Sequence, residues 1–506
     1  MRTAIIGGGI AGLAAAFELE KARTAAGDTS SSVGREADIE YALFESRPRL
    51  GGTLASEIIN GAVTELGPDS FLTEKPAASE LCRELGIGDQ LIPSNDTQRK
   101  TYVVVRNRLI PLPDGLMFLV PTKLIPTATT RLFSLPTKIR MGLELLLPPR
   151  PSDQDESVAS LVQRHFGLEA VDRLADPLLS GIFGGDATQL SARTVLPRLV
   201  DMEAQYGSLT RGMLAAHRQM RAQMQVRAAA QKPSTGAASA KSEGKRPARG
   251  VFTTLRGGMQ QLVDALEAKL EPRWLHRSAP VEALEKTSDG WAVTAAGSTR
   301  IYDAVIMASP AWAASTLLAP VDSTLSHELG AIPYSSSITV NLIYDQDQLG
   351  QLPEGFGFLV PASESRAMLA CTFVHRKFLG RTPTGKVVLR AFLGGIKNEQ
   401  LMTESDEALI AAVRRELTQI LGERAVPRNA QPEHMQVSRW RRAMAQYAVG
   451  HQDRIERIQE RVAELPGLKL AGNAYDGIGI PDCIRLGRQA ARELIGAVEP
   501  AQQNVG

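Results

Sequence analysis

The segment with the clearest chemistry is a glycine-rich turn near the amino terminus. A short apolar run at residues 3–6 predicts a buried strand before it, and helical spacing at residues 13–21 predicts a helix after it. The turn fits the GxGxxG pattern and consists of Gly7, Gly8, Gly9, Ile10, Ala11 and Gly12. In this setting the glycines permit a tight turn, close approach of a pyrophosphate and close helix packing, and the helix amino terminus attracts phosphates. The pattern predicts a dinucleotide site; the alternative is a plain glycine turn.

An acidic residue follows the second predicted strand. Residues 39–44 are apolar and alternating, and Glu45 ends them. A carboxylate at this position hydrogen-bonds the adenosine ribose, whereas the alternative is a surface carboxylate. Glu45 lies farther from the glycine turn than the usual ~20 residues, because a polar segment at 23–37, predicted to be a loop, intervenes. Strand, turn, helix and strand together predict a βαβ unit in a parallel sheet, hence an α/β fold.

Three more segments extend this prediction toward a flavin. An arginine and a glycine pair come directly after Glu45, and this arrangement resembles the second FAD signature of the amine-oxidase and phytoene-desaturase superfamily. A Gly-Pro turn follows whose backbone is expected to face the flavin ring. A carboxyl-terminal glycine loop precedes the last helix, whose dipole favours negative charge on the reduced flavin. The cofactor contacts predicted in these segments are Ser46, Arg49, Gly51, Gly52, Thr53, Gly67, Pro68, Asp69, Ser70, Gly472, Ile478, Gly479 and Ile480.

Composition excludes several classes of function. The 506 residues carry a net charge of only +2, which gives no argument for nucleic-acid binding. Cys82, Cys371 and Cys483 have no disulfide or zinc spacing, so a reducing, cytoplasmic location is expected. We expect no signal peptide, no transmembrane helix and no metal site. The apolar, proline-rich residues 109–128 predict either a tunnel wall or a shallow membrane contact.

The elements outside the glycine segments are mixed. The patterns predict a helix over residues 75–91, largely helical structure over 151–225 capped at Asp153 or Ser157, and a poorly ordered segment at 228–250. Short strands of a second sheet follow, with a helix at 406–421. A last strand at 468–471 and a helix at 482–498 close the chain.

Seven motifs carry a resemblance over nearly the whole chain. They read IIGGGIAGLAAAF, RPRLGGT, ELGPDSFLTEKP, DPLLSGIFGGDATQLS, FTTLRGGMQQLV, SRWRRAMAQYAVGH and GNAYDGIGIPDCIRLGRQAA. The sequence resembles the protoporphyrinogen and coproporphyrinogen oxidase family of the soluble bacterial type. The resemblance implies non-covalent FAD in a Rossmann-like domain of the p-hydroxybenzoate-hydroxylase type, with a mixed-sheet substrate domain and a helical domain. It also implies that Val281 packs at the adenine and that Trp440 lies near the flavin.

The same resemblance implies a six-electron oxidation of a porphyrinogen in haem synthesis, with oxygen as acceptor and peroxide as product. Coproporphyrinogen III is favoured over protoporphyrinogen IX, and a chelatase that receives the product is expected by analogy. The implied division of the chain is FAD-binding at 1–74, substrate and helical at 75–225, a flexible basic linker at 226–250, FAD-binding at 251–310, substrate at 311–454 and FAD-binding at 455–506.

No side chain is marked by its spacing as a catalytic base. The histidines considered for that role, each interpreted as structural, are His165, His217 and His375. The cations considered for the substrate carboxylates are Lys75, Arg106, Arg108, Lys123 and Arg131. Cys483 is interpreted as a packing residue and not as a covalent flavin link. The alternatives are a flavin amine oxidase, a carotenoid desaturase and a non-catalytic porphyrin carrier.

Overall fold

The computed structural model describes residues 1–27, 39–117, 119–150, 154–230 and 250–498. Its strands are β1 (Arg2–Ile6), β2 (Glu40–Phe44), β3 (Ser56–Ile59), β4 (Ala62–Glu65), β5 (Phe71–Leu72), β6 (Leu91–Pro93), β7 (Thr101–Val105), β8 (Arg108–Pro111), β9 (Leu116–Met117), β10 (Val120–Pro121), β11 (Phe252–Leu255), β12 (Leu275–His276), β13 (Val281–Thr287), β14 (Gly290–Ala295), β15 (Ser298–Tyr302), β16 (Ala304–Met307), β17 (Tyr334–Asp345), β18 (Gly357–Leu359), β19 (Met368–Phe373), β20 (Lys386–Gly394), β21 (His434–Ala445) and β22 (Leu468–Leu470).

Helices alternate with these strands and also form a separate group in the first half of the chain. The α-helices are α1 (Ile10–Gly27), α2 (Ala77–Glu84), α3 (Leu124–Thr129), α4 (Leu135–Leu143), α5 (Val158–Phe166), α6 (Leu168–Ala170), α7 (Asp176–Phe183), α8 (Ala192–Val195), α9 (Pro197–Tyr206), α10 (Leu209–Ala230), α11 (Gln260–Glu267), α12 (Ala311–Leu318), α13 (Ser323–Gly330), α14 (Val374–Lys377), α15 (Asp406–Leu421), α16 (His451–Ala463) and α17 (Ile480–Val498). Short 3-10 turns span Gly88–Gln90, Asp96–Gln98, Glu144–Leu146, Pro272–Trp274, Gln346–Gln348, Ala362–Glu364 and Ile396–Thr403, and a π turn spans Val171–Ala175.

A five-stranded parallel sheet joins distant parts of the chain. Its order is β12-β2-β1-β16-β22, and Ile6 at the end of β1 pairs with Phe44 on one side and Met307 on the other. One face packs against α1, α11 and α17, and the antiparallel β13-β14-β15 sheet covers the opposite face. Since all five strands run in one direction, the residues after β1, β2, β16 and β22 meet at one edge. This edge is called the glycine edge below.

The last helix returns to the first one. A Cβ at Gly487 of α17 would lie 2.0 Å from the carbonyl oxygen of Ala11 in α1, so only glycine permits this approach. The contact is enclosed by apolar side chains that include Leu13 and Ile484, both fully buried. Burial of this kind contributes about 1.5–3 kcal/mol for each large apolar side chain. The carboxyl-terminal segment is therefore an integral layer of the parallel-sheet domain.

A second, seven-stranded mixed sheet has the order β21-β17-β20-β19-β18-β7-β8. Helix α15 covers one face, where Val340 and Leu342 of β17 pack with Val413 and Leu417. Side chains of a strand alternate between faces, so the intervening residues of β17 point the other way. Among them, Thr339 donates a hydrogen bond to the carbonyl oxygen of Leu66. The face of this sheet opposite α15 therefore contacts the segment that contains Leu66.

The predicted mixed α/β class is confirmed, and several element boundaries differ from the expectation. Helix α1 continues to Gly27, so the expected loop at 23–37 was wrong at its start. The expected helix at 75–91 was wrong in its second half, because α2 ends at Glu84 and Gly86 adopts φ +80 before β6 begins. Strand β21 and helix α16 had not been predicted.

Some expectations fall where the structure gives no description. Helix α10 continues to Ala230, so the expected poorly ordered segment at 228–250 was wrong at its start. Residues 28–38, Asp153 and residues 231–249 lie outside the described ranges, so the proposed cap at Asp153 and the rest of that segment stay predictions. Ser157 does cap α5, accepting the Ser160 amide at 3.1 Å. Within the ranges described, no helix is long and apolar enough to cross a membrane. The domain boundaries also stay predictions.

Candidate functional site

The glycine turn stands at the glycine edge, directly after β1. The Gly7 amide donates to the carbonyl oxygen of Phe44 at 2.9 Å, and Gly7 has φ +115. A Cβ at Gly12 would lie 1.9 Å from the Gly7 carbonyl oxygen, so the helix packs closely on the turn. A Cβ at Gly9 would meet nothing within 4 Å. The three glycines thus separate into a turn, an open approach and a packing contact, which is the division that a pyrophosphate site needs.

Glu45 is held beside this turn. One carboxylate oxygen accepts the Gly8 amide at 2.9 Å, and the other accepts the Arg47 amide at 2.8 Å and the Ser46 hydroxyl at 3.2 Å. The residue is only 9% exposed. The structure therefore brings the predicted ribose ligand and the glycine turn into direct contact, although 37 residues separate Gly8 from Glu45.

The second glycine segment packs onto the first. The Gly51 amide donates to the carbonyl oxygen of Gly8 at 2.8 Å, and Gly51 forms a parallel bridge with Gly9. Gly51 and Gly52 have φ +97 and +60, values that favour glycine. Arg49 donates to the carbonyl oxygens of Leu50, Gly52 and Leu54. Arg49 accordingly shapes the loop that holds Gly51 against the glycine turn.

The third segment, Glu65 to Ser70, connects this region to the seven-stranded sheet. A Cβ at Gly67 would lie 1.8 Å from the carbonyl oxygen of Thr53, so the segment lies directly against the second glycine loop. The Trp440 indole donates to the carbonyl oxygen of Leu66 at 2.7 Å, and its ring lies 5.7 Å from the guanidinium carbon of Arg49. Trp440 is thus placed between two of the predicted cofactor segments.

Asp69 in this segment is engaged by cations. Lys377 lies 2.9 Å from its carboxylate, Arg390 lies 3.8 Å away, and the Ser70 hydroxyl donates at 2.7 Å. Burial alone would raise the pKa of Asp69, but the charges of Lys377 and Arg390 outweigh it and hold that pKa well below its usual range. The side chain is therefore an ion-pair partner, and the backbone of this segment is the part left for a ligand.

The carboxyl-terminal loop completes the glycine edge after β22. Gly472 has φ +134, and a Cβ there would meet nothing within 4 Å. The Tyr447 hydroxyl accepts the Gly477 amide at 2.9 Å and donates to the carbonyl oxygen of Asn473 at 3.0 Å. Burial raises the pKa of Tyr447, so its hydroxyl stays protonated and keeps both roles. The sequence predicted no role for Tyr447, although this residue lies in the motif SRWRRAMAQYAVGH.

Asp482 ties this loop to α17. It accepts the Gly479 amide at 3.2 Å and forms an ion pair with Lys75 at 2.7 Å. Ile478 is half-buried and Ile480 is buried at the first turn of the helix. Lys75, considered above for a substrate carboxylate, therefore has a partner in the first turn of α17.

Two other predicted residues occupy different surroundings. Val281 begins β13 and is half-buried against the core, and the nearby Ala279 amide donates to the carbonyl oxygen of Glu45 at 2.9 Å. The other cations considered for the substrate are not brought together. Arg106 and Arg108 lie at the β7–β8 hairpin, while Lys123 and Arg131 flank α3, and all four are exposed. Their assignment to carboxylates stays a prediction.

His165, His375 and the three cysteines are held by neighbouring polar groups or by packing. His165 lies between Glu144 and Glu203, with 3.0 Å from a ring nitrogen to a carboxylate oxygen on each side. Burial lowers the pKa of His375 to about 4, and its ring lies 3.4 Å from the carbonyl oxygen of Val388. All three cysteines are free and buried.

A cavity of 530 Å³ lies elsewhere. It is lined by residues at the amino ends of β1 and β2, including Arg2 and Glu40, and by Trp274 and Tyr302. The glycine segments follow the carboxyl ends of the same strands. Most of this cavity therefore lies away from the glycine edge, although His276, whose carbonyl oxygen accepts the Glu45 amide at 2.9 Å, also lines it.

The glycine edge fits a dinucleotide. Open backbone at Gly9 and Gly472 lies on a sheet edge that also carries the Glu45 carboxylate and the amino termini of α1 and α17. Helix amino termini and exposed amides stabilise phosphates and other negative charge. In this geometry Gly9 would face a pyrophosphate, Glu45 a ribose, and the loop at Gly472 to Ile480 the far end of the cofactor.

Comparison with known proteins decides which family this arrangement belongs to. The model of the flavin containing amine oxidoreductases matches residues 10–495. The chain belongs to this flavoprotein family. It is 32% identical over 493 residues to a protein of Bacillus subtilis named coproporphyrinogen III oxidase, with 97% of each chain covered. It is 33% identical to a protein of the same name from Propionibacterium freudenreichii, covering 97% of this chain and 90% of the relative.

A solved structure of the family has the same fold. The crystal structure of an Exiguobacterium protein named as a candidate protoporphyrinogen oxidase matches with a TM-score of 0.81 and 31% identity, over 97% of this chain and 98% of the other. The resemblance inferred from the seven motifs and the amine-oxidase type of fold are thereby confirmed.

Proposed function

We propose that this chain binds FAD non-covalently at the glycine edge and oxidises a porphyrinogen, preferentially coproporphyrinogen III, in haem synthesis. The observation that carries the proposal is the convergence of segments from the start and the end of the chain on one sheet edge, with open backbone at Gly9 and at Gly472. The names of the full-length relatives support the substrate class.

Each part of the cofactor is assigned to a different set of protein groups. Glu45, already oriented by the Gly8 and Arg47 amides, accepts from the adenosine ribose. The amides of the glycine turn and the amino terminus of α1 hold the pyrophosphate. The loop from Gly472 to Ile480, braced by Tyr447 and Asp482, holds the pyrimidine end of the flavin. Val281 packs at the adenine, and Trp440 with the Leu66–Ser70 segment lines the ring.

The chemistry divides between cofactor and protein. When bound, FAD supplies a hydride acceptor, and three rounds with three O₂ convert the porphyrinogen to the porphyrin with release of three H₂O₂. The protein positions the substrate against the ring and excludes water from it. The ring of His375 lies beside a main-chain carbonyl, and the ring of His165 lies between two carboxylates. We therefore assign neither residue as a catalytic base.

Cys483 bears on the mode of cofactor attachment. It is 7% exposed in the first turns of α17, and burial raises the pKa of its thiol to about 12. A thiol of that pKa carries almost no thiolate at neutral pH, and the thiolate is the nucleophile. Denaturation in acid should therefore release all flavin into the supernatant. A coloured protein pellet would contradict the non-covalent assignment.

The experiment that tests the function compares two substrates. FAD-loaded protein is mixed with coproporphyrinogen III or protoporphyrinogen IX in air, and porphyrin fluorescence and oxygen uptake are followed together. We expect three O₂ per porphyrin and a higher kcat/KM with coproporphyrinogen III. Preference for protoporphyrinogen IX would favour the second candidate, which the name of the Exiguobacterium structure supports. Inertness toward both substrates would end the proposal.

An anaerobic version separates an enzyme from a carrier. Addition of the preferred porphyrinogen without oxygen should bleach the visible flavin band, whereas a porphyrin carrier would bind without bleaching. A flavin amine oxidase would be bleached by an amine instead. Delivery of the product to a chelatase and a cytoplasmic location stay predictions of the sequence.

A further inference from the structure

A buried cluster of charges connects the Glu65–Ser70 segment to residues 377–390. It consists of Glu65, Asp69, Lys377, Arg381 and Arg390 and is called the charge cluster below. Arg381 and Arg390 are 1% and 2% exposed, which is unusual for arginine. Arg381 forms an ion pair with Glu65, and Lys377 forms one with Asp69 at 2.9 Å. The sequence predicted no charge cluster here, and Asp69 had been predicted only as a cofactor contact.

The cluster is joined to the proposed flavin seat by backbone contacts. Arg390 donates to the carbonyl oxygen of Gly67. A Cβ at Gly67 would lie 1.8 Å from the carbonyl oxygen of Thr53, so Gly67 is packed directly against Thr53. Thr53 follows Gly52, where a Cβ would lie 3.1 Å from Cα of Gly9. Arg390 is therefore connected to the pyrophosphate turn through two short stretches of main chain.

The cluster holds more positive than negative charge. Lys377, Arg381 and Arg390 are three cations, whereas Glu65 and Asp69 are two carboxylates. The Nε atoms of Arg381 and Arg390 are buried and have no hydrogen-bond partner within the described structure. The Arg390 guanidinium carbon lies 4.7 Å from the centre of the Phe392 ring, which cannot neutralise it. Salt screens such a buried charge weakly, so it acts on neighbouring groups.

We propose that the charge cluster favours the reduced, negatively charged form of the bound flavin, with Arg390 as the principal positioning residue. The proposal rests on the proposed function, because it requires FAD at the glycine edge. Positive charge near a flavin ring stabilises the electron-rich reduced ring and so favours hydride transfer from the substrate. Arg390 acts through the Leu66–Asp69 main chain and does not itself contact the reacting atoms in this scheme.

Three variants and one control test the proposal. Arg390→Gln removes the charge, Arg390→Lys keeps it, and Lys377→Met removes the less buried cation of the cluster. Lys100→Met is the control, because Lys100 is exposed and pairs with Glu354 at the surface. For each protein the FAD content is measured first, and the midpoint potential of the bound flavin is then measured with a reference dye.

The expected effect is a change in preference for reduced over oxidised flavin. In Arg390→Gln the ratio of the affinity for reduced flavin to the affinity for oxidised flavin should fall at least tenfold. For a two-electron couple this corresponds to a midpoint potential lower by about 30 mV. Lys377→Met should show a smaller shift in the same direction, while Arg390→Lys and the control should stay within twofold of the parent protein.

The outcomes separate the two proposals. If the parent protein binds no FAD when supplied with it, the proposed function fails. If FAD is bound and the potential is unchanged in both charge-removing variants, or if Arg390→Lys shifts it as far as Arg390→Gln, the charge proposal is overturned. If Arg390→Gln does not fold, Lys377→Met alone decides: a shift toward the oxidised flavin supports the proposal, and an unchanged potential overturns it.

Discussion

The carboxylate of Glu45 accepts a hydrogen bond from the amide of Gly8 at 2.9 Å, which makes the end of β2 and the turn after β1 a single unit. The contact orients the acid before any cofactor arrives. A residue fixed in this way loses little side-chain entropy on binding, so more of the interaction energy is expressed as affinity.

Replacement of Glu45 by alanine should weaken FAD binding. Hydrogen bonds to charged groups contribute about 1.5–3 kcal/mol, so we expect about tenfold to a hundredfold weaker binding. Quenching of flavin fluorescence in a titration of apoprotein measures the change. Glu285→Ala, at an exposed position of β13, is the matched control. An unchanged Kd for Glu45→Ala would remove Glu45 from the site.

Gly9→Ala should fold normally and bind FAD poorly. A Cβ at Gly9 meets no protein atom within 4 Å, so the free energy of unfolding of the apoprotein should change by less than about 1 kcal/mol. The methyl group would occupy the space assigned to the pyrophosphate, so FAD content should fall sharply. Gly496→Ala in α17 also has open space and serves as the control for an added methyl group. Full FAD content in Gly9→Ala would place the pyrophosphate elsewhere.

Tyr447→Phe should loosen the carboxyl-terminal loop. The change removes one bond to the Gly477 amide and one to the Asn473 carbonyl, each with a net contribution of about 1 kcal/mol. We expect about tenfold weaker FAD binding with a preserved fold, measured by flavin release during dilution and by circular dichroism. Tyr102→Phe, on β7 of the other sheet, is the control. Equal FAD affinity in the two variants would contradict a bracing role for Tyr447.

The His165 contacts predict a pH dependence of stability. Burial alone lowers the pKa of His165, but the hydrogen bonds and charges of Glu144 and Glu203 outweigh it and raise that pKa. A raised pKa in the folded state means that the protonated ring contributes stability fully below about pH 6.5, the value in the unfolded chain. This contribution is lost as the pH rises through the raised pKa. The Tm should therefore decline as the pH increases above 6.5.

Comparison with His165→Asn isolates this contribution. Removal of one partner from a buried charged network costs about 3 kcal/mol or more, so the variant should melt earlier at pH 6. Its Tm should also change less between pH 6 and 9 than that of the parent protein. His327→Asn, at an exposed position of α13, should reproduce the parent profile. Parallel profiles of parent and His165→Asn would show that the ring is neutral in the fold.

Local signals explain what the sequence predicted. Gly7 and Gly51 adopt backbone conformations that favour glycine, and Gly12 permits a close packing contact. These requirements appear in the sequence as short glycine motifs, which can be recognised without knowledge of the fold. Helix α15 was predicted at its observed bounds because its apolar spacing is regular and Ser405 caps it. The same locality placed Glu45 at the end of a strand.

Longer-range relationships explain what the sequence did not predict. Tyr447 acts on Gly477 and Asn473, and Arg381 pairs with Glu65 across 316 residues, so no local pattern connects the partners. Strand β21 carries the run SRWRR, without regular alternation of polar and apolar residues, and it forms at the sheet edge through pairing with β17. Such pairings depend on tertiary packing, which overrides local propensity.

The order of strands in the parallel sheet has a consequence for biosynthesis. Since β22 and α17 follow the other elements of this domain in the chain, a growing chain displays β16 with an unpaired edge and the apolar side of α1 without its cover before they are made. Exposed edges and apolar surfaces of this kind promote aggregation. The proposed nucleotide site is complete only once α17 has been synthesised, so chains truncated before β22 should remain colourless and pass to chaperones or proteases.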